Sequence, residues 1–159
     1  MKKLDVNFIN PFIEATVRTL KIQCDTEVLT LPPMIKGKSQ VLDTDIAGVI
    51  GITSKEFTGS IAICFPRSTF NGIMRKMCGG ALSEDAREAE DGAGELLNII
   101  FGQARTALNE RGHSIKSAIP TIIHGKSIHV RHLAPGLSVV IPFESAYGQF
   151  RLEIGLDTE

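Results

Sequence analysis

The residues best suited to chemistry in this sequence are Glu95 and Asn98. Their spacing of three places both side chains on one face of a helix, one turn apart. A carboxylate forms charge-assisted hydrogen bonds with cationic groups, and a carboxamide donates and accepts hydrogen bonds at the same time. If the surrounding segment is helical, these two groups form a small polar site on its surface.

Further polar residues extend this pair into a stripe. Steps of three or four residues connect Asp91, Glu95, Asn98, Gly102, Arg105 and Asn109. Such a stripe is usually a solvated helix face, and a Glu-x-x-Asn pair occurs too often by chance to decide the matter. Three details favour a docking surface: Asn98 suits a helix interior poorly, Gly102 leaves room for another backbone, and Ile99 adds an apolar side chain at the border of the stripe.

A long helix must position this stripe. It is predicted to begin at Ser83-Glu84-Asp85, where a capping hydroxyl and two acidic residues suit a helix N-terminus, and to end before Gly112. Gly92 and Gly94 weaken a helix, so we expect either a break or a close packing contact near its middle. The opposite side of the helix is predicted to face the core, with Ala93, Leu96, Leu97, Ile100, Phe101, Ala104, Ala107 and Leu108.

Hydrophobic periodicity and turn residues indicate the other elements. Helices are predicted at Val6–Ile22 and Pro66–Met77, the second with Ser68 or Thr69 near its cap and Gly79-Gly80 at its end. Strands are predicted at Val28–Leu31, Ile46–Ile52, Phe57–Phe65, Leu137–Phe143 and Tyr147–Leu156, with a hairpin formed by Pro120–His124 and Ser127–Leu133. The last of these strands is suited to a sheet edge, where a second copy of the chain could pair with it.

This order of elements predicts an α+β fold, in which helices pack on an antiparallel β-sheet within a single domain spanning residues 1–159. Each half consists of a helix followed by strands, which indicates an approximate duplication. The pattern Asn10-x3-Glu14-x2-Val17 in the first half echoes Asp91-x3-Glu95-x2-Asn98 in the second.

Composition argues against several classes of function. The 17 basic and 18 acidic side chains give a net charge of -1, so no excess of positive charge is available to bind a nucleic acid. The longest apolar runs are only strand-length, and the first 22 residues lack a continuous apolar stretch. We therefore expect neither membrane insertion nor secretion, and predict a cytoplasmic location. Cys24, Cys64 and Cys78 are far apart and are expected to be reduced core thiols.

Three histidines, His124, His129 and His132, are close together in sequence and are interpreted as surface residues rather than metal ligands. Strand alternation places His129 and His132 on opposite faces, and no cysteine or carboxylate lies at ligand spacing. The sequence therefore predicts no metal site and no bound cofactor in this chain.

The motif Asp91-x3-Glu95-x2-Asn98, followed downstream by Pro120, resembles the signature of the CheC/CheX/FliY phosphatases of bacterial chemotaxis. Within that family, the chain length and the single intact Glu-x-x-Asn are most like CheX. The resemblance extends to Gly51-Ile52-Thr53, Gly59-Ser60-Ile61, Met77-Cys78-Gly79-Gly80 and the strand-rich C-terminal part. Because Val17 replaces the Asn that a second site in the first half would require, the resemblance implies one active site.

The resemblance further implies a homodimeric protein that hydrolyses the aspartyl phosphate of a CheY-like response regulator. Asn98 would hold the attacking water in line with the phosphorus, Glu95 would pair with the regulator's active-site lysine, and Asp91 would extend the acidic contact surface. The partner-binding face would also include Ile99, Gly102 and Arg105. The magnesium ion would belong to the regulator.

Two other functions remain open at this point. The same helix face could bind a regulator or a motor component without hydrolysis, as in a docking module related to the flagellar switch proteins. The presence of both Glu95 and Asn98 favours the phosphatase. A small-ligand sensor has less support, because the sequence pattern contains no convergent polar pocket.

Overall fold

The computed structural model describes residues 6–37, 43–77, 79, 86–117, 119–130, 132 and 138–157. The helices within these ranges are α1 (Val6–Cys24), α2 (Arg67–Met77) and α3 (Ala86–Glu110). The strands are β1 (Val28–Thr30), β2 (Met34–Lys36), β3 (Asp43–Thr53), β4 (Thr58–Phe65), β5 (Lys116–Ser117), β6 (Thr121–His129), β7 (Ser138–Ser145) and β8 (Gly148–Asp157). In this described part of the chain, none of the helices is both long and apolar enough to cross a membrane.

These strands form one antiparallel sheet in the order β1-β7-β8-β4-β3-β5, in which β2 also pairs with β7 and β6 also pairs with β3. The predicted α+β architecture is therefore confirmed. The prediction that Tyr147–Leu156 forms a sheet edge is wrong, because β8 lies between β7 and β4. Leu152, Glu153 and Ile154 are all fully buried, which shows that β8 is covered on both faces as well as on both sides.

The two halves of the chain repeat one arrangement, in agreement with the predicted duplication. Each half has a long helix, then two strands that pair with the other half, then a hairpin. The strands β1 and β2 pair with β7 of the second hairpin, and β5 and β6 pair with β3 of the first. The hairpins join at the centre of the sheet through β4 and β8.

Helix α3 is continuous and ends where the sequence predicts. Gly112 follows it with a φ of +94°, a backbone conformation that glycine adopts without steric cost. The predicted start at Ser83-Glu84-Asp85 lies outside the described residues. A side chain at Gly92 would place its Cβ 2.7 Å from the sulfur of Met74 on α2, so this glycine serves a close packing contact and does not break the helix.

The N-terminus of α2 is capped from β3. One carboxylate oxygen of Asp45 accepts a hydrogen bond from the backbone N–H of Arg67 at 2.9 Å, and the other accepts from Ser127 on β6 at 3.3 Å. These two N–H donors lower the pKa of Asp45. The predicted alternatives, Ser68 or Thr69, do not supply this bond; Thr69 is buried, and its hydroxyl donates to a carbonyl in the β7–β8 turn.

Replacing Asp45 with Ala should lower the free energy of unfolding by about 1 kcal/mol at neutral pH, the usual cost of losing a helix cap. Because the pKa of Asp45 is lowered in the folded state, its contribution is present above the ordinary value of 3.8 and is lost as the pH falls through the folded value. Urea unfolding at pH 7 and at pH 3 measures both effects. If the difference in unfolding free energy between wild type and Asp45→Ala were the same at both pH values, the assignment would be contradicted. Asp45→Asn keeps one acceptor oxygen and should therefore lose less of this free energy.

The segment predicted as a hairpin around His124-Gly125-Lys126 is instead one strand, β6. It pairs with β3 from Thr121 to His129, and a bulge of residues 125–127 opposes Asp45 alone. Ser127 within the bulge has a φ of +52°, and its N–H is held by the same Asp45 carboxylate. The hairpin prediction is therefore wrong. The error arose because a bulge and a tight turn favour the same small and polar residues.

The main core fills the space between the helices and one face of the sheet. Fully buried aromatic rings include Phe8 and Phe12 of α1, and Phe65 of β4 stacks on Phe150 of β8 with ring centroids 5.1 Å apart. The cysteine predictions are confirmed for Cys24 and Cys64, which are free and buried, whereas Cys78 lies outside the described residues.

The opposite face of the sheet carries a buried polar cluster. The Glu153 carboxylate is fully buried and lies 2.6 Å from the Lys36 ammonium, which reaches it from β2 and also donates to the Val130 carbonyl. The Cys64 thiol donates to the second carboxylate oxygen at 3.4 Å, and burial raises the pKa of this thiol. The Arg151 guanidinium lies 3.5 Å from the same carboxylate.

His132 borders this cluster, so its prediction as a surface residue is wrong, although His124 and His129 are exposed as predicted. Its Nδ1 is 2.6 Å from the Ser60 hydroxyl, while its Nε2 is buried and has no hydrogen-bond partner. Burial lowers the pKa of His132 from its ordinary value of 6.5, because water no longer solvates the charged ring.

The unfolding free energy should therefore fall when the pH drops below 6.5. The unfolded chain takes up a proton on His132 before the folded chain does, so stability is full above the ordinary pKa and is lost as the pH falls through the lowered one. Chemical denaturation between pH 5 and pH 8 measures this slope. His132→Gln should flatten this dependence on pH, and equal slopes for wild type and His132→Gln would contradict the prediction.

Candidate functional site

Helix α3 presents the predicted stripe on its solvent side. Asp91, Glu95 and Asn98 are exposed, and Ile99 beside them is half-buried. The predicted core face is confirmed by the burial of Ala93, Leu96, Leu97, Ile100, Phe101, Ala104 and Leu108, and Ala107 is half-buried. A helix held this firmly on one side presents its polar side chains in fixed positions on the other.

An open cleft of about 640 Å³ runs along this part of α3. The helix contributes Glu90, Asp91, Gly94, Glu95, Asn98 and Ile99, and Pro120 and Ile122 form the other wall. The cleft therefore brings Pro120, which is distant in sequence, next to the Glu95 and Asn98 pair. All four residues of the sequence motif, Asp91, Glu95, Asn98 and Pro120, therefore line one surface.

Gly48 of β3 makes room where the helix packs on the strand wall. Ile122 of β6 lies opposite Gly48 in the sheet register. A Cβ built on Gly48 would be 3.2 Å from the side chains of both Ile122 and Leu97, which is tighter than usual, whereas one built on Gly94 would be 3.8 Å from Ile122, an ordinary contact. The missing side chain at Gly48 therefore lets Leu97 of α3 and Ile122 of β6 pack together over β3.

The remaining stripe residues lie beyond the cleft. Gly102 and Arg105 are half-buried and do not line it, and Gly102 follows Asn98 by one helical turn. A Cβ on Gly102 would meet no atom within 4 Å, which leaves room for an approaching backbone. Asn109 has a structural role, because its side chain accepts a hydrogen bond from the Ile115 N–H at 2.6 Å and fixes the loop after the helix.

The cleft is acidic. The side chains that the structure describes in its lining include three carboxylates, from Glu90, Asp91 and Glu95, and no lysine or arginine. Such a surface favours a partner that presents a positive charge. Among the described residues, no group of three or more histidine, cysteine, aspartate or glutamate side chains is arranged to hold a metal ion.

One feature of the cleft was not predicted from the sequence. The His124 Nε2 of β6 lies 2.5 Å from a carboxylate oxygen of Glu90, with both side chains partly exposed. Strand alternation from Ile122 to His124 could have indicated that this ring faces α3. The identity of its partner depends on how β6 is placed against the helix, which no local pattern reveals.

Comparison with known proteins gives a consistent family assignment. Residues 46–144, well over half of the chain, match the family model described as "Chemotaxis phosphatase CheX". The fold, the exposed carboxylate and carboxamide, and this match define a chemotaxis protein of the CheC-like class. The chain belongs to the CheX family.

Solved structures agree with this assignment. The chemotaxis protein CheX from Desulfovibrio desulfuricans is 30% identical, with a TM-score of 0.89, and the alignment covers 96% of this chain and 100% of that one. CheX from Vibrio vulnificus is 31% identical, with a TM-score of 0.87 and coverage of 94% and 99%. The CheX-CheY-BeF3-Mg2+ complex from Borrelia burgdorferi shares the fold at 20% identity, with a TM-score of 0.77 and coverage of 96% and 99%. No curated protein sequence shows a significant match.

Proposed function

We propose that this protein hydrolyses the aspartyl phosphate of a CheY-like response regulator in the bacterial cytoplasm. The observation that carries the proposal is the exposed pair of Glu95 and Asn98, adjacent on α3 and facing the cleft that Pro120 closes. Membership of the CheX family supports the same reaction. The Borrelia burgdorferi structure, in which a CheX is bound to CheY with BeF3 and Mg2+, supports the class of partner.

Asn98 performs the positioning step. Its carboxamide accepts a hydrogen bond from a water molecule and donates another, which fixes the oxygen in line with the phosphorus without any shift in pKa. The water oxygen forms a bond to phosphorus while the bond from phosphorus to the aspartyl oxygen breaks. The products are inorganic phosphate, which takes up the water's proton, and the regulator's free carboxylate.

Glu95 performs the docking step. One helical turn from Asn98 and exposed to solvent, its carboxylate is placed to pair with the cationic lysine beside the regulator's phosphoryl group. Asp91 extends the acidic contact surface, and Ile99 supplies apolar contact at its border. Gly102 and Arg105 belong to the outer part of this face, one to two turns further along α3.

The magnesium ion of the reaction belongs to the regulator, and this chain binds no cofactor of its own. A homodimer is part of the same proposal. Because β8 is central, the outer strands β1, β2, β5 and β6, rather than Tyr147–Leu156, are the places where a second copy could extend the sheet.

The proposal is tested by mixing the protein with a panel of phosphorylated receiver domains and Mg2+, and following phosphate release. We expect release to be accelerated with at least one CheY-type receiver. Binding of a phosphorylated receiver without accelerated release would instead favour a noncatalytic docking module. The matched control is Asn98→Ala.

A further inference from the structure

The contact between Glu90 and His124 lies at the end of the candidate site and is not part of the sequence motif. Glu90 lines the cleft one position before Asp91, and His124 approaches it from β6, two residues after Ile122. We infer that the Glu90–His124 pair is a positioning element that sets how tightly the phosphorylated regulator docks. This inference rests on the proposed function.

The argument begins with the charges. Glu90, Asp91 and Glu95 place three carboxylates along one open cleft. Without a contact inside the protein, the Glu90 side chain could take several positions at this end of the cleft, and a docking partner would have to order it. A device that holds Glu90 in one position therefore favours docking.

The geometry supplies that device. With 2.5 Å between its Nε2 and a Glu90 oxygen, His124 holds the Glu90 side chain toward β6. Glu95 is exposed and directed to solvent on the next turn. The pair also connects the helix that carries the site to the strand that forms its other wall, so it fixes the width of the cleft at this end.

Removal of this pair should affect binding and leave the chemical step intact. His124→Ala is expected to raise the KM for a phosphorylated CheY-type receiver by about three- to tenfold, the usual cost of ordering one long side chain at an interface, with kcat within about twofold of wild type. His124→Gln keeps an N–H donor and should restore most of the affinity. Glu90→Gln should reproduce the effect of His124→Ala only in part, because its amide oxygen can still accept the bond.

The matched control is His129→Ala, which makes the same substitution on the same strand at the far end of β6, opposite Asp43 of β3. His129→Ala should leave both KM and kcat unchanged. A pair that only stabilised the fold would lower the melting temperature of His124→Ala without changing KM, and that result would overturn the inference. A fall in kcat at constant KM would overturn it as well.

A binding measurement separates this inference from the proposed function. The probe is a CheY-type receiver activated with beryllofluoride and Mg2+, which does not turn over, and the dissociation constant is measured for each variant. If wild type binds but releases no phosphate from the phosphorylated receiver, the hydrolytic function fails, and weaker binding by His124→Ala still supports the positioning role. If wild type releases phosphate and His124→Ala binds with unchanged affinity, the positioning role fails alone. A wild-type protein that neither binds nor hydrolyses overturns both.

Discussion

Replacing Asn98 with Ala should lower the rate of receiver dephosphorylation by about two to three orders of magnitude, because removal of one preorganised positioning group typically has this effect. Asn98 is exposed on α3, so the substitution removes no core contact and the melting temperature should stay close to that of wild type. Stopped-flow measurement of phosphate release, combined with circular dichroism, tests both statements. A variant that releases phosphate at the wild-type rate would remove Asn98 from the mechanism.

The Asn98→Asp variant tests the same role more sharply. Its size is unchanged, but a carboxylate cannot donate a hydrogen bond and adds negative charge beside the phosphoryl group. We expect it to be nearly as inactive as Asn98→Ala. Full activity in Asn98→Asp would show that the site does not require a group that both donates and accepts.

The second large effect is expected at the adjacent residue, Leu97. Its side chain is fully buried between α3 and the sheet, where it lies against Gly48 of β3. Truncation to Ala removes buried methyl groups and leaves a cavity, so the free energy of unfolding should fall by about 2 to 5 kcal/mol. Urea denaturation measures this change.

The two substitutions act on neighbouring residues with opposite outcomes. Leu97→Ala should be less stable, yet its folded fraction should keep much of its activity, whereas Asn98→Ala should be stable and inactive. If both variants lost stability equally, Asn98 would be a structural residue and the exposed face of α3 would lose its functional interpretation.

The course of α3 could be predicted because helical periodicity is local. The residues that determine which side of the helix faces the core lie within a few turns of one another, and burial of Leu96, Leu97 and Ile100 confirms that pattern. Because this periodicity is local, it also predicted that Glu95 and Asn98 lie side by side on the solvent face. Pro120 entered the sequence analysis only as part of the family signature; its position beside Glu95 and Asn98 comes from the structure and could not have come from periodicity.

The errors arose where long-range pairing decides the outcome. The alternating pattern of β8 is compatible with an edge or a centre, and only its pairing with β4 and β7 distinguishes them. The bulge in β6 depends on Asp45, about 80 residues earlier in the chain. The contact between Glu90 and His124 likewise depends on the position of β6 relative to α3.

The exchange of strands between the two halves has a consequence for how the protein forms during translation. The first hairpin, β3 and β4, needs β6 on one side and β8 on the other, and both are synthesised later. Until they emerge, its backbone N–H and C=O groups are unpaired at both edges, a condition that exposes a nascent chain to misassociation. Neither half pairs all of its own strand edges, so the sheet is completed only after nearly the whole described chain has been synthesised.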